Sequence, residues 1–195
     1  MPQSRRLVLA STSRYRRELL QRLGLPFEAA APHFDETPIR GEGSAATALR
    51  LSAGKAESLV RTFPDALIIG ADQVASSEGR PLGKPGDHET ALRQLRALSG
   101  KSAQFDTAVS LLDARAGELQ SRVIACRVTF RSLNEEIIEA YLRREQPYDC
   151  AASAKAEGLG IALIERIDTE DPTSLVGLPL IALTAMLERA GMPVL

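Results

Sequence analysis

Apolar residues first gather at Leu7-Val8-Leu9-Ala10, a run that breaks at Ser11-Thr12-Ser13 and gives way to helical spacing. Leu19, Leu20 and Leu23 then supply one buried stripe, which predicts a short helix. Ser13 is placed to cap it by accepting from the Arg16 amide, and Gly24 is placed to end it. Pro26-Phe27 leads into an apolar run that stops at Pro32, followed by the polar turn Asp35-Glu36-Thr37-Pro38. From about 45 to 63 the residues Ala45, Ala48, Leu49, Ala56, Leu59, Val60 and Phe63 share one face of a long helix. Lys55 projects about 80° from the centre of that face, at its edge. Ala66-Leu67-Ile68-Ile69-Gly70-Ala71-Asp72-Gln73-Val74 is continuous rather than alternating, the mark of a strand buried on both sides. Asp72 would stand at its end.

Pro81-Leu82-Gly83-Lys84-Pro85-Gly86 reads as a rigid loop, and Asp87 as the cap of a helix with stripe Ala91, Leu92, Leu95 and Leu98, stopped by Gly100. Strands are expected at about 103–112 and 119–131, joined by a turn around Asp113–Gly117. Ser132-Leu133-Asn134-Glu135 has capping-box spacing and starts a helix carrying Ile137, Ile138, Tyr141 and Leu142. A loop over 153–160 feeds a strand at 161–167, and Pro179 opens a last helix that Gly191 closes. Helices interleaved with strands, one hairpin included, indicate an α/β fold with a mixed sheet.

Composition narrows the function classes. The 195 residues suit one domain, or one domain in two lobes. A net charge of −1 excludes a global field for nucleic acid or membrane, so any anionic ligand must be held by local clusters. Cys126 and Cys150 allow at most one disulfide and no metal-ligand spacing, which suits a reducing compartment. The first apolar run is too short for a signal peptide or a membrane span, and a cytoplasmic location is expected.

A strand, a small-residue turn and a helix start bring free amides and a positive dipole end together, which is an anion site. Arg16 in the first turn opposes that dipole unless an anion is bound. An ordinary strand–turn–helix with solvated arginines is the other reading. Arg16, Lys55, Lys84, Glu36 and Asp72 stand in turns or at element edges, the mixture of cations and carboxylates that a polyphosphate with a divalent metal requires. No Gly-x-Ser-x-Gly elbow is present, His33 and His88 lack catalytic partners in the sequence, and zinc lacks ligands.

Ala10-Ser11-Thr12-Ser13 with Arg16-Arg17, Asp35-Glu36-Thr37, Gly70-Ala71-Asp72-Gln73, Gly83-Lys84-Pro85, Glu157-Gly158-Leu159-Gly160 and Leu175-Val176-Gly177-Leu178-Pro179-Leu180 together resemble the Maf family of nucleoside triphosphate pyrophosphatases. The motifs run in family order over nearly the whole chain. The resemblance implies a single Maf-like (ITPase-like) domain over 1–195, an elongated mixed sheet flanked by helices with two lobes around a central cleft. It also implies dependence on Mg²⁺ or Mn²⁺ and cleavage between the α- and β-phosphates. On this reading Asp72 is catalytic, Ser11, Arg16, Lys55 and Lys84 grip the phosphates, and Glu36 assists Asp72 at the metal. Arg14 departs from the family's usual proline.

Tyr15, Gln73 and Glu157 match the branch of the family that acts on 7-methyl-GTP. The chemistry agrees, because a cationic methylated purine gains from an aromatic face, and a glutamate accepts both hydrogens of a guanine edge. Tyr15 as a core aromatic and Glu157 as a solvated carboxylate are the plainer alternatives. The competing functions are a dTTP/UTP pyrophosphatase and a nucleotide-binding regulator of septum formation and cell division. The expected partner is a small-molecule nucleotide rather than a nucleic acid polymer or a membrane, with a homodimer allowed.

Overall fold

In the computed structural model, which describes residues 5–195, five helices and seven strands alternate along the chain. In order they are β1 (Leu7–Ala10), α1 (Arg14–Gln21), β2 (Glu28–Ala30), α2 (Ser44–Glu57), β3 (Leu67–Ser77), β4 (Arg80–Leu82) and α3 (His88–Leu98). β5 (Ser102–Asp113), β6 (Glu118–Phe130), α4 (Glu135–Glu145), β7 (Ile164–Thr169) and α5 (Leu180–Arg189) follow. The strands form a mixed sheet in the order β2-β1-β3-β5-β6-β7, with β4 paired to β3. β1 is parallel to both β2 and β3, whereas β4 is antiparallel to β3 and β7 antiparallel to β6.

Two compact units divide the chain. The first comprises residues up to Gln73, Thr107–Ile124 and Asp171–Leu195. Its core follows from the two-residue period of a strand. Leu7, Leu9, Leu67, Ile69 and Ala71 pack with Leu19 and Leu20 of α1 and with Leu183, Met186 and Leu187 of α5. Their neighbours Val8, Ala10 and Ile68 point the opposite way, onto Ala56, Leu59 and Phe63. Strands covered on both faces have no polar side to present, which is why these runs do not alternate.

The second unit comprises Val74–Asp106 and Ala125–Glu170. Here α3 packs on α4, burying Ala91, Leu92, Leu95 and Leu98 of the one and Ile138, Tyr141 and Leu142 of the other. Cys126, Val128 and Phe130 are the buried alternate residues of β6, as their spacing predicts.

Several expected boundaries move, each for a local reason. α2 ends at Glu57 instead of running to 63, because the Ser58 hydroxyl donates to the Lys55 carbonyl at 2.8 Å. Leu59 then bonds back three residues, to Ala56, and the chain continues as turns. The buried face of α2 is also rotated: Ala48, Leu51, Ser52, Gly54, Lys55 and Ala56 are inside, while Ala45 and Leu49 are exposed. β3 continues five residues past Asp72, since a left-handed Glu78-Gly79 turn folds β4 back against Ala75–Ser77. Asn134 rather than Ser132 caps α4, accepting from Ile137 at 2.9 Å. β7 begins at Ile164, after a 3₁₀ segment over Leu159–Leu163.

Candidate active site

The parity of β3 decides which side chains meet. Ile68, Gly70 and Asp72 lie on the face toward α2, and Ile69, Ala71 and Gln73 on the other. At Gly70 a Cβ would come within 1.9 Å of the Ser52 carbonyl oxygen, so α2 crosses where the strand has no side chain. One turn further along α2, Lys55 reaches Asp72.

The resulting contact is short and screened from water. Lys55 Nζ donates to Asp72 Oδ1 at 2.6 Å, and Glu36 Oε2 lies 3.1 Å from the same nitrogen. Lys55 is only 6% and Asp72 only 8% exposed, whereas Glu36 is more than half exposed as a side chain. Asp72 is therefore neither at a strand end nor a turn cap. It is a carboxylate inside a strand, tolerated because an ammonium meets it. Lys55, placed by periodicity at the edge of its helix face, is turned inward by two acids.

The opening turn is organised by a second cation. Ser13 caps α1 through the Arg16 amide at 3.4 Å, and the Ser13 amide donates to Ser11 Oγ at 3.2 Å. Arg16 Nε donates to the Gly177 carbonyl at 2.9 Å, and its Nη1 lies 3.4 Å from Ser11 Oγ. Desolvation lowers the Arg16 guanidinium from its ordinary value, while Asp72 and Glu36 oppose that shift. Arg16 is thus a half-buried cation tied to the Leu175–Leu180 motif rather than a solvated arginine.

Gln73, on the other face of β3, is held tightly. Its Nε2 faces Thr107 Oγ1 at 3.0 Å and the carbonyls of Ser174 and Leu175 at 3.0 and 3.1 Å. That amide nitrogen is engaged by the protein itself. Tyr15 is half-buried on α1 with the Arg14 guanidinium 4.6 Å above its ring, and Arg14 Nη2 donates to its hydroxyl at 2.7 Å. Arg14 therefore rests on the aromatic face expected to meet a cationic base, a contact that sequence adjacency alone does not reveal. Lys84 and Glu157 belong to the second unit, and both are exposed on loops. Gln94 Nε2 steadies the Lys84 loop by donating to the Gly83 carbonyl at 3.1 Å.

The first unit thus brings Ser11 to Arg16, and Lys55 to Asp72 and Glu36. A separate open cavity of about 410 Å³, lined by Arg17, Gln21, Leu25, Phe27 and Ala29, contains none of the candidate residues. Neither cysteine is in a disulfide, and burial pushes the Cys126 thiol up to about 11, away from the thiolate a nucleophile needs.

Two carboxylate oxygens converging on one cation are hard donors. That set suits Mg²⁺ or Mn²⁺, which bind through one or two carboxylates together with substrate phosphates. Among the described residues no three His, Cys, Asp or Glu side chains form a metal-holding group.

The family model described as Maf-like protein matches residues 6–190. The chain belongs to the Maf family. This Maf chain is similar over nearly its whole length to curated relatives of comparable size. It is 56% identical to a 7-methyl-GTP pyrophosphatase of Cupriavidus pinatubonensis, over 96% of this chain and 94% of that one. It is 58% identical to 7-methyl-GTP pyrophosphatases of a Polaromonas species and of Thiobacillus denitrificans, covering 97% of this chain and 87% and 94% of theirs.

Proposed function

We propose that this Maf protein hydrolyses 7-methyl-GTP to 7-methyl-GMP and pyrophosphate. The observation that carries the reading is the convergence of the buried Asp72 and Lys55 with the half-exposed Glu36 on the α2 face of β3. Similarity to relatives bearing that activity in their names narrows the substrate. The reaction needs a base, charge compensation for a triphosphate, and recognition of a cationic purine.

Each role has a residue on this reading. Asp72 Oδ1 accepts from Lys55, which orients the carboxylate and leaves Oδ2 to take a proton from water. The water oxygen bonds to the α-phosphorus, the bridge to the β-phosphate breaks, and pyrophosphate departs. Ser11, Arg16, Lys55 and Lys84 hold phosphate oxygens, and Arg16 is already fixed at Gly177 for that task. A divalent cation bound with the nucleotide at Asp72 and Glu36 would supply further charge neutralisation at the phosphates. Tyr15 stacks on the base and Glu157 accepts from its edge. Gln73 contributes by holding Ser174 and Leu175 in place. The protein acts as one domain in the cytoplasm, in keeping with two cysteines that form no disulfide. No helix among the described residues is long and apolar enough to cross a membrane.

Two experiments test this. Asp72→Asn should lower pyrophosphate release by at least ~10²-fold while nucleotide binding persists, and near-normal turnover would remove Asp72 from the mechanism. Catalytic efficiencies for 7-methyl-GTP, GTP, UTP and dTTP should rank the first highest. A preference for UTP or dTTP would assign the chain to the pyrimidine branch.

A further inference from the structure

The exposed Glu157 is the tip of a segment bonded to α4 on both of its sides. Glu145, in the last turn of α4, accepts from Lys155 Nζ at 2.6 Å and, through Oε2, from the Leu159 amide at 2.7 Å. Tyr141 lies one turn earlier on the same helix face. Its hydroxyl accepts from the Lys155 amide at 3.0 Å and donates to the Ser153 carbonyl at 3.1 Å. Burial raises this phenol above its ordinary value, so it remains a donor.

The segment itself is closed. The amides of Gly158 and Gly160 both donate to the Lys155 carbonyl at 3.0 Å. A Cβ at Gly160 would stand 2.5 Å from that carbonyl oxygen, and one at Gly158 would stand 2.6 Å from Glu145 Oε2. Gly160 is therefore required by close approach to the turn's own backbone, whereas a Cβ at Gly158 would have to displace the Glu145 carboxylate. Glu145 and Lys155 are 11% and 22% exposed as side chains, so the pair is more rigid than a solvated one.

We propose that Glu145 is a positioning residue for base selectivity, holding the 155–159 turn in the shape that presents Glu157 to the purine edge. The inference rests on the reading of Glu157 as the residue that accepts from the base. Bidentate recognition depends on direction as well as distance, and a loop free to pivot would retain the carboxylate but lose its aim. The chemistry at Asp72 is untouched, so the cost should fall on the Michaelis constant for the methylated purine.

Glu145→Ala and Glu157→Gln, singly and combined, form the test. Glu145→Ala should lower the efficiency ratio of 7-methyl-GTP over UTP roughly 5- to 50-fold, mostly through KM. It should also speed hydrogen exchange at the Leu159 amide, a readout independent of activity. Glu157→Gln should lower the same ratio in the native background but add little to Glu145→Ala, because the two act in series. Glu145→Gln, which keeps shape and one acceptor, should give a smaller change of the same sign, and it decides the matter if the alanine variant does not fold. Equal effects of Glu157→Gln in both backgrounds would overturn the positioning role while leaving the base-reading role standing. If Glu157→Gln changes nothing in the native background, the base-reading role fails and this proposal fails with it.

Discussion

Two residues set the conditions for the site: a glycine that admits a helix, and a lysine that neutralises an acid. Gly70 removes the Cβ that would strike the Ser52 carbonyl, and Lys55 then meets Asp72 two residues along the strand. Gly70→Ala should push α2 away from β3, with a loss of about 1–3 kcal/mol in thermal or denaturant melts. Turnover should fall as well, because Lys55 retreats with the helix. Lys55→Met leaves Asp72 buried without its cation and should cost about 3–5 kcal/mol, toward the lower end since Glu36 is half in water. Pairing Lys55→Met with Asp72→Asn should recover part of that loss. A fully additive double mutant in denaturant melts would mean the 2.6 Å contact carries no coupling energy.

Among the elements, the least expected device is the cap of α5. Asp171 is 1% exposed and accepts from the amides of Thr173, Ile181 and Ala182, at 3.1, 2.8 and 3.4 Å. Thr173 Oγ1 takes the Leu180 amide at 2.8 Å. The capping side chain thus precedes its helix by nine residues, folded back through the 3₁₀ segment Pro172–Val176. Asp171→Ala should destabilise the fold by about 1–2 kcal/mol, and by more if the buried amides find no water. Since the same segment supplies the Gly177 carbonyl to Arg16, the variant should also raise KM. α4 offers a pH signature. Lys155 and the Leu159 amide hold the Glu145 carboxyl below its ordinary 4.5. Its contribution to stability is present above that value and is lost as pH falls through the lowered one. Acid titration of the Leu159 amide signal should therefore show the turn loosening only below about pH 4.5, whereas loosening near neutrality would contradict the ion pair.

At the scale of the whole molecule, binding should appear as stability. A nucleotide held at about 100 times its Kd stabilises by about 2.7 kcal/mol, roughly 5–10 °C for a domain of this size. Mg²⁺ with 7-methyl-GTP should give that shift, and Mg²⁺ alone far less, because Asp72 and Glu36 already meet on Lys55. A full shift with Mg²⁺ alone would mean the protein cages the metal unaided. The pattern of apolar and polar residues determined the α/β class, the order of most elements, the two-sided burial of β3, and the Ser13 and Asp87 caps, because these depend on neighbours within a few residues. The motif set, read in order, determined the family. Tertiary structure alone decided that Lys55 turns inward, that Asp72 sits mid-strand, that Gln73 is tied to Ser174 and Leu175, and that Asp171 caps α5. The side-chain contacts among these join positions between 10 and 102 apart in sequence. Periodicity assigns a residue to a face, but which partner waits on that face is set by how close another element can approach, and at Gly70 that depends on a missing side chain.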